Sequence, residues 1–131
     1  MRIVLLDYQG TLCPRAMEAG QAVHFVKDLQ SQGDLVYLWT GSSTRDIQRE
    51  TPGLAEAVDR NRSKWALGRE ILEELSYPDI RIEDISEVVV LDDDPDVGKG
   101  MAESFNLVKK GLARYVPAMQ WKSLLLKEAA S

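Results

Sequence analysis

Cysteine is nearly absent from this sequence. Cys13 is the only one in 131 residues, so the chain can form no internal disulfide, and a reducing compartment suits it best. Long hydrophobic runs are missing too. The first one, Ile3-Val4-Leu5-Leu6, is too short for the core of a signal peptide, and nothing later approaches the ~20 apolar residues of a membrane span. Basic residues are outnumbered, 16 Lys and Arg against 21 Asp and Glu, for a formal net charge of −5. That balance argues against the basic face of a general nucleic-acid binder. It leaves room for a phosphorylated ligand, because a bound divalent cation inverts the local field. No repeat and no low-complexity segment is present. We expect a cytoplasmic protein with no membrane partner and no general nucleic-acid binding, whose chain starts directly with a buried strand.

What the sequence does have is enough apolar material for one core. The length suits a single domain over residues 1–131. Ile3 to Leu6 is a continuous apolar run closed by Asp7 and Gly10, the pattern of a strand buried on both faces. Glu18 to Gln32 carries Ala22, Val23, Phe25, Val26 and Leu29 at helical spacing and stops at Gly33. Leu35 to Trp39 predicts a second buried strand, followed by the turn Thr40-Gly41-Ser42-Ser43. Ser43 and Asp46 predict the capped start of a short helix that ends before Pro52. A short helix and then a loop fit Leu54 to Asn61. Ser63 reads as the N-cap of a helix to about Leu75, and Ile80 to Ile82 as a short strand. Glu87 to Leu91 is a clear strand, and Pro95 opens a helix to about Phe105. Leu107-Val108 reads as a last short strand, and Pro117 as the start of a C-terminal helix with Trp121, Leu124 and Leu125.

Strands alternating with helices predict an α/β fold: a three-layer, doubly wound, Rossmann-like sandwich with a mainly parallel sheet. Ligands of such sheets sit beyond the carboxyl ends of the strands. Three of the predicted strands end in Asp7, Thr40 and Asp92-Asp93, and right-handed crossovers would bring those ends to one edge. Each residue also has a plain structural use. An Asp after a strand commonly forms a turn, Thr40 can cap one, and an acidic run suits a helix N-terminus. Lysines such as Lys64 are ordinarily exposed. Cys13 and His24 read as structural.

Taken together, Asp7-Tyr8-Gln9-Gly10-Thr11-Leu12, Thr40-Gly41-Ser42, Lys64 and Leu91-Asp92-Asp93-Asp94-Pro95 resemble the four motifs of the haloacid dehalogenase (HAD) superfamily. The resemblance runs from Ile3 to about Val108. It implies a HAD-like fold and a magnesium ion, Mg2+, held by Asp7, Asp92 and the backbone carbonyl of Gln9, with Asp93 either a further ligand or a partner that orients the ligands. It implies that Asp7 attacks phosphorus and becomes an aspartyl phosphate. Thr40 and Lys64 would assist catalytically by binding the phosphoryl oxygens, and Gly10, Thr11 and Gly41 would shape the phosphate-binding turns. The implied activity is that of a phosphohydrolase or phosphotransferase on a phosphorylated metabolite, nucleotide or macromolecule.

Two departures qualify that expectation. Many phosphatases of the family carry an acid two residues after the nucleophile; here it is Gln9, whose amide neither gives nor takes a proton near neutrality. The substrate then needs a good leaving group, or another group such as Tyr8 supplies the proton. The alternative is a domain that binds or sequesters a phosphorylated ligand, such as a nucleotide signal, without turning it over. The other departure is size. Neither Asp7 to Thr40 nor Thr40 to Lys64 has room for a cap domain, so the site should be open unless a second copy in a homo-oligomer covers it. Tyr8, Leu12, Pro14 and Arg15 would make at most a small flap. A dehalogenase fits less well, since it needs a cap and no acidic metal site. A two-component receiver domain would place its acidic pair early in the chain.

Overall fold

The first apolar run folds as β1 (Arg2–Leu6). Successive strand residues point to opposite faces, so Ile3 and Leu5 enter one buried cluster while Val4 and Leu6 enter another. All four are fully buried, as a strand covered on both sides requires. The computed structural model of the chain describes residues 1–8, 11, 17–63, 66–77 and 79–126.

Four more strands join β1: β2 (Leu35–Thr40), β3 (Arg60–Ser63), β4 (Glu87–Asp92) and β5 (Ala113–Pro117). The sheet is parallel throughout, in the order β3-β2-β1-β4-β5. Helices α1 (Ala19–Ser31), α2 (Thr44–Glu50) and α3 (Leu54–Ala57) pack on the face of Val4 and Leu6, through Phe25, Leu29, Ile47 and Leu54. Helices α4 (Gly68–Leu75) and α5 (Pro95–Asn106) pack on the other face, through Ile71, Leu75, Met101 and Phe105. The expected three-layer, doubly wound α/β sandwich is therefore the fold. The chain winds outward from β1 to β3 over one face, then crosses the other face to β4 and β5. The strand order thus reverses between β1 and β4.

Local chemistry fixes the helix ends near that reversal. The Ser43 hydroxyl accepts from the Asp46 amide at 3.1 Å and starts α2. The Asp94 carboxylate accepts from the amides of Asp96 and Val97, at 3.0 and 3.3 Å, just before Pro95 opens α5. Both satisfy amides that a helix start leaves without a partner in the helix. Gly33, at φ 93°, ends α1 in the left-handed conformation that glycine adopts without strain.

Several expected elements differ. Arg60 to Ser63, expected as the end of a loop and a helix cap, is strand β3, and α4 begins only at Gly68. An edge strand has one neighbour and tolerates polar side chains, which hides it from an apolar-run criterion. Arg60 also reaches the carbonyls of Glu74 and Tyr77, at 3.3 and 3.2 Å. Ile80 to Ile82 is not a strand; Ile82–Asp84 is a 3-10 turn, with Arg81 N donating to the Asp84 carboxylate at 3.1 Å. Leu107 and Val108 form no strand but the turn after α5, with Leu107 80% exposed. The last strand comes later because the Asn106 side chain clamps Ala113 in both directions, at 3.0 and 2.7 Å. Beyond Pro117 the chain makes 3-10 turns over Ala118–Leu124 rather than an α-helix. Trp121 there packs edge-on against Phe25, with ring centroids 5.1 Å apart. His24 is exposed on α1. Cys13 lies outside the described residues.

The α4–α5 contact depends on Gly68. A Cβ there would lie 2.7 Å from the Phe105 backbone nitrogen and 2.8 Å from its Cα. Backbone cannot yield as a side-chain tip can, so Gly68→Ala is expected to destabilise the fold by about 1–3 kcal/mol. A urea midpoint equal to that of the wild type would show that the two helices separate freely.

Candidate active site at the ends of β1, β2 and β4

In an open parallel sheet the point where strand order reverses leaves a crevice, because the adjoining connections depart to opposite faces. Here that crevice lies beyond β1 and β4. Leu6 is in register with Leu91, so Asp7, the next residue, comes level with Asp92. The Asp7 amide donates to the Leu91 carbonyl at 3.0 Å, which holds its backbone against β4.

Asp7 is 2% exposed and Asp92 is fully buried, whereas Asp93 reaches solvent. Carboxylate oxygens of all three lie within 4.8 Å of one another. The Thr11 hydroxyl donates to Asp7 Oδ2 at 3.1 Å, and the Asp94 amide donates to Asp92 Oδ1 at 2.9 Å. Each contact orients one carboxylate and tempers its charge. Thr40 closes β2 beside them and is 8% exposed. Its Oγ1 accepts from the Ser42 amide at 3.0 Å, which leaves the hydroxyl proton for a second acceptor.

A cleft of about 700 Å³ opens beside these groups. Asp7, Thr40, Gly41 and Asp93, all expected at the site, line it. Ser42 and Asp94 of the motifs quoted above line it too, as do Ser43 and Asp46, to which the sequence assigned no site role. Their signal was available: Asp46 sits in the first turn of α2, whose start at Ser43 faces the same sheet edge as Thr40. Gln9, Gly10 and Lys64 lie outside the described residues. Ser63, which precedes Lys64, pairs with Thr40 in register. Tyr8 departs from expectation. It is fully buried, and its hydroxyl meets Thr51 Oγ1 at 2.7 Å and Glu50 Oε2 at 3.0 Å. It therefore forms no flap and offers the cleft no proton. The period-two alternation explains this, since Tyr8 continues the face of Val4 and Leu6 while Asp7 continues the other.

Tyr115 is the neighbour that sequence reading missed. Its hydroxyl donates to the main-chain carbonyl of Asp92 at 3.0 Å. Burial, and then the charges of Asp92, Asp93 and Asp94, push its pKa above the ordinary tyrosine value, so the hydroxyl stays a donor.

The donor set suits a hard divalent cation. Magnesium binds oxygen at ~2.0–2.1 Å in octahedral geometry, which places opposite ligands about 4.2 Å apart. Oxygens already within 4.8 Å need only small side-chain rotations to close on such an ion.

Among solved structures, the chain is similar to the HAD domain of effector protein Lem4 from Legionella pneumophila. The TM-score is 0.59, covering 88% of this chain and 85% of that one at 13% identity. The fold is HAD-like. The structure of MT0777 aligns over 88% of this chain and 84% of its own at 14% identity, with a TM-score of 0.39 that is too low to bear on the fold. No protein-family model and no curated protein matches the chain. In this HAD-like fold, no inserted domain follows β1 or β2 among the described residues, which hold only α1, α2 and α3 before β3. No described helix is long and apolar enough to cross a membrane.

Magnesium at a hundred times its Kd is expected to stabilise the protein by about 2.7 kcal/mol, read as a higher Tm by calorimetry. Without metal, Asp93→Asn should melt above the wild type because one repelling charge is gone; with metal, it should gain little. A wild type whose Tm ignores magnesium would overturn the metal assignment.

Proposed function

We propose that this protein is a magnesium-dependent phosphohydrolase or phosphotransferase working through an aspartyl phosphate on Asp7. Its substrate would be a phosphorylated metabolite, nucleotide or macromolecule. One observation carries the reading: the near-buried carboxylate of Asp7 lies within 4.8 Å of those of Asp92 and Asp93, at the switch point of a HAD-like sheet. A carboxylate has little reason to be buried beside two others unless a cation and an electrophile are to meet there.

The roles follow from the resemblance to the HAD motifs. Asp7 attacks phosphorus, an Asp7 oxygen–phosphorus bond forms, and the bond to the leaving oxygen breaks. The Thr11 hydroxyl on Asp7 Oδ2 helps orient the carboxylate for that attack. Thr40 donates its proton to a phosphoryl oxygen, and Lys64 pairs with the charge on the same group. Asp7, Asp92, Asp93 and the Gln9 carbonyl would hold Mg2+, which neutralises the phosphoryl charge that otherwise repels Asp7. Gly10, Thr11 and Gly41 shape the turns around the phosphate. Water or a second acceptor then attacks the aspartyl phosphate and restores Asp7. The domain would be a single one, in the cytoplasm, and a homo-oligomer that covered the open cleft would help exclude water.

Gln9 supports a second reading. With no acid at that position and Tyr8 turned toward α2, a poor leaving group receives no proton from either. The protein would then bind or sequester a phosphorylated small molecule and release it unchanged.

A phosphate-release panel of acyl phosphates, phosphoanhydrides and phosphomonoesters separates these readings. Wild type should favour the first two classes, and Asp7→Asn should abolish release. Gln9→Asp should raise monoester turnover by about two to four powers of ten. Unchanged turnover in Asp7→Asn would sink the nucleophile assignment. A wild type that releases nothing but retains a phosphorylated ligand in magnesium would establish the binding role.

A further inference from the structure

Three carboxylates gather at the cleft, yet they are not held alike. Asp92 is buried, with its Oδ1 fixed by the Asp94 amide at 2.9 Å. The Asp7 carboxylate takes the Thr11 hydroxyl at 3.1 Å, and its backbone amide is bound to Leu91. Asp93 is exposed and follows the last residue of β4, where pairing in the sheet ends. Its direction therefore depends on how the peptide linking Asp92 to Asp93 is turned.

That peptide has a dedicated contact. Tyr115 stands in β5 opposite Val90, and its side chain leans along the sheet so that the hydroxyl donates to the Asp92 carbonyl at 3.0 Å. A peptide group is planar, so holding the carbonyl of residue 92 also sets the amide of residue 93 and the exit direction of its Cα. The contact has been given room. A Cβ on Gly98 would come within 2.4 Å of two ring carbons of Tyr115, so the first turn of α5 can admit the ring only with glycine there. The hydroxyl also places a positive dipole end against a carbonyl surrounded by three carboxylates.

We infer that Tyr115 is a positioning residue for the metal site: by holding the Asp92–Asp93 peptide it aims Asp93, and with it the third carboxylate, at the cation. This rests on the magnesium reading above and goes beyond it by assigning a residue that touches neither metal nor substrate. Groups that orient ligands in this way typically contribute ~10–100-fold in metal affinity.

Titration calorimetry with magnesium alone tests the inference on the full chain. Tyr115→Phe keeps the ring against Gly98 and removes only the hydroxyl, and it should weaken magnesium binding about tenfold or more. Gly98→Ala keeps the hydroxyl but displaces the ring, and should weaken binding similarly. Metal-free melting of each variant reports fold stability separately. A Tyr115→Phe protein that melts lower but binds magnesium with wild-type affinity would reduce Tyr115 to a structural contact and overturn the inference, leaving the metal reading intact. A wild type that binds no magnesium would overturn both together.

Discussion

Like charges held close together govern this molecule. At an effective dielectric near 20, two ionised carboxylates no more than 4.8 Å apart repel by on the order of 3 kcal/mol or more. The buried pair Asp7 and Asp92 bears that repulsion with little solvent to screen it. A fold with a stability of roughly 5–15 kcal/mol tolerates such a pair only where the surroundings offset it. The offsets are visible: a hydroxyl from Thr11, an amide from Asp94, and the start of α5 close behind. A divalent cation is a further counterpart that would suit them.

The rest of the architecture serves to bring these charges together. β1 and β4 are continuous apolar runs because both faces are covered, and neither could end in a buried acid unless strand order reversed beside it. The reversal opens the crevice, and the register of Leu6 with Leu91 puts both acids at one height. Thr40 arrives by the same logic from β2, one strand further out. The pleat then sorts neighbours to opposite faces. Tyr8, next to Asp7 in sequence, points into the core beneath α2, while Tyr115, far away in sequence, reaches the end of β4.

Those facts explain what could be read from residues alone. The strands that end at Asp7, Thr40 and Asp92 were legible because burial on both faces writes an unbroken apolar run. Ser43 and Asp94-Pro95 were legible because capping is local chemistry. β3 was not, since Arg60-Asn61-Arg62-Ser63 sits at an edge and carries no apolar signature. β5 was missed because Leu107 and Val108 are the more apolar pair, whereas the Asn106 clamp on Ala113 delays the strand. Tyr115 left no signal, because its role is a contact across 23 positions with a backbone atom. The side of Tyr8 was legible in principle: Val4, Leu6 and Tyr8 share one parity, and carrying that parity one step past the strand would have excluded it from the cleft.

On the proposed chemistry, the supply of protons then narrows the substrate. The hydroxyls lining the described part of the cleft, on Thr40, Ser42 and Ser43, are far too weakly acidic to protonate a departing alkoxide. Asp7, Asp92 and Asp93 must be ionised to attack or to hold a cation, so none of them is an acid in the same step, while Asp46 is engaged with Arg49 and Asp94 with the amides that start α5. Tyr8 is committed to Thr51 and Glu50, and Tyr115 to a backbone carbonyl. The amide of Gln9 is no acid either. A leaving group that departs as a stable anion, such as a carboxylate or a phosphate, needs none of them. The open cleft admits either on a large molecule, and the next step, attack on the aspartyl phosphate, suits an acceptor nucleophilic enough to need no strong base. The same inventory explains how the site could hold a phosphomonoester without cleaving it. On that proposal, recognition of the phosphoryl group would call on Thr40, Lys64 and the cation, whereas expulsion of an alkoxide would call on an acid, which the amide of Gln9 is not.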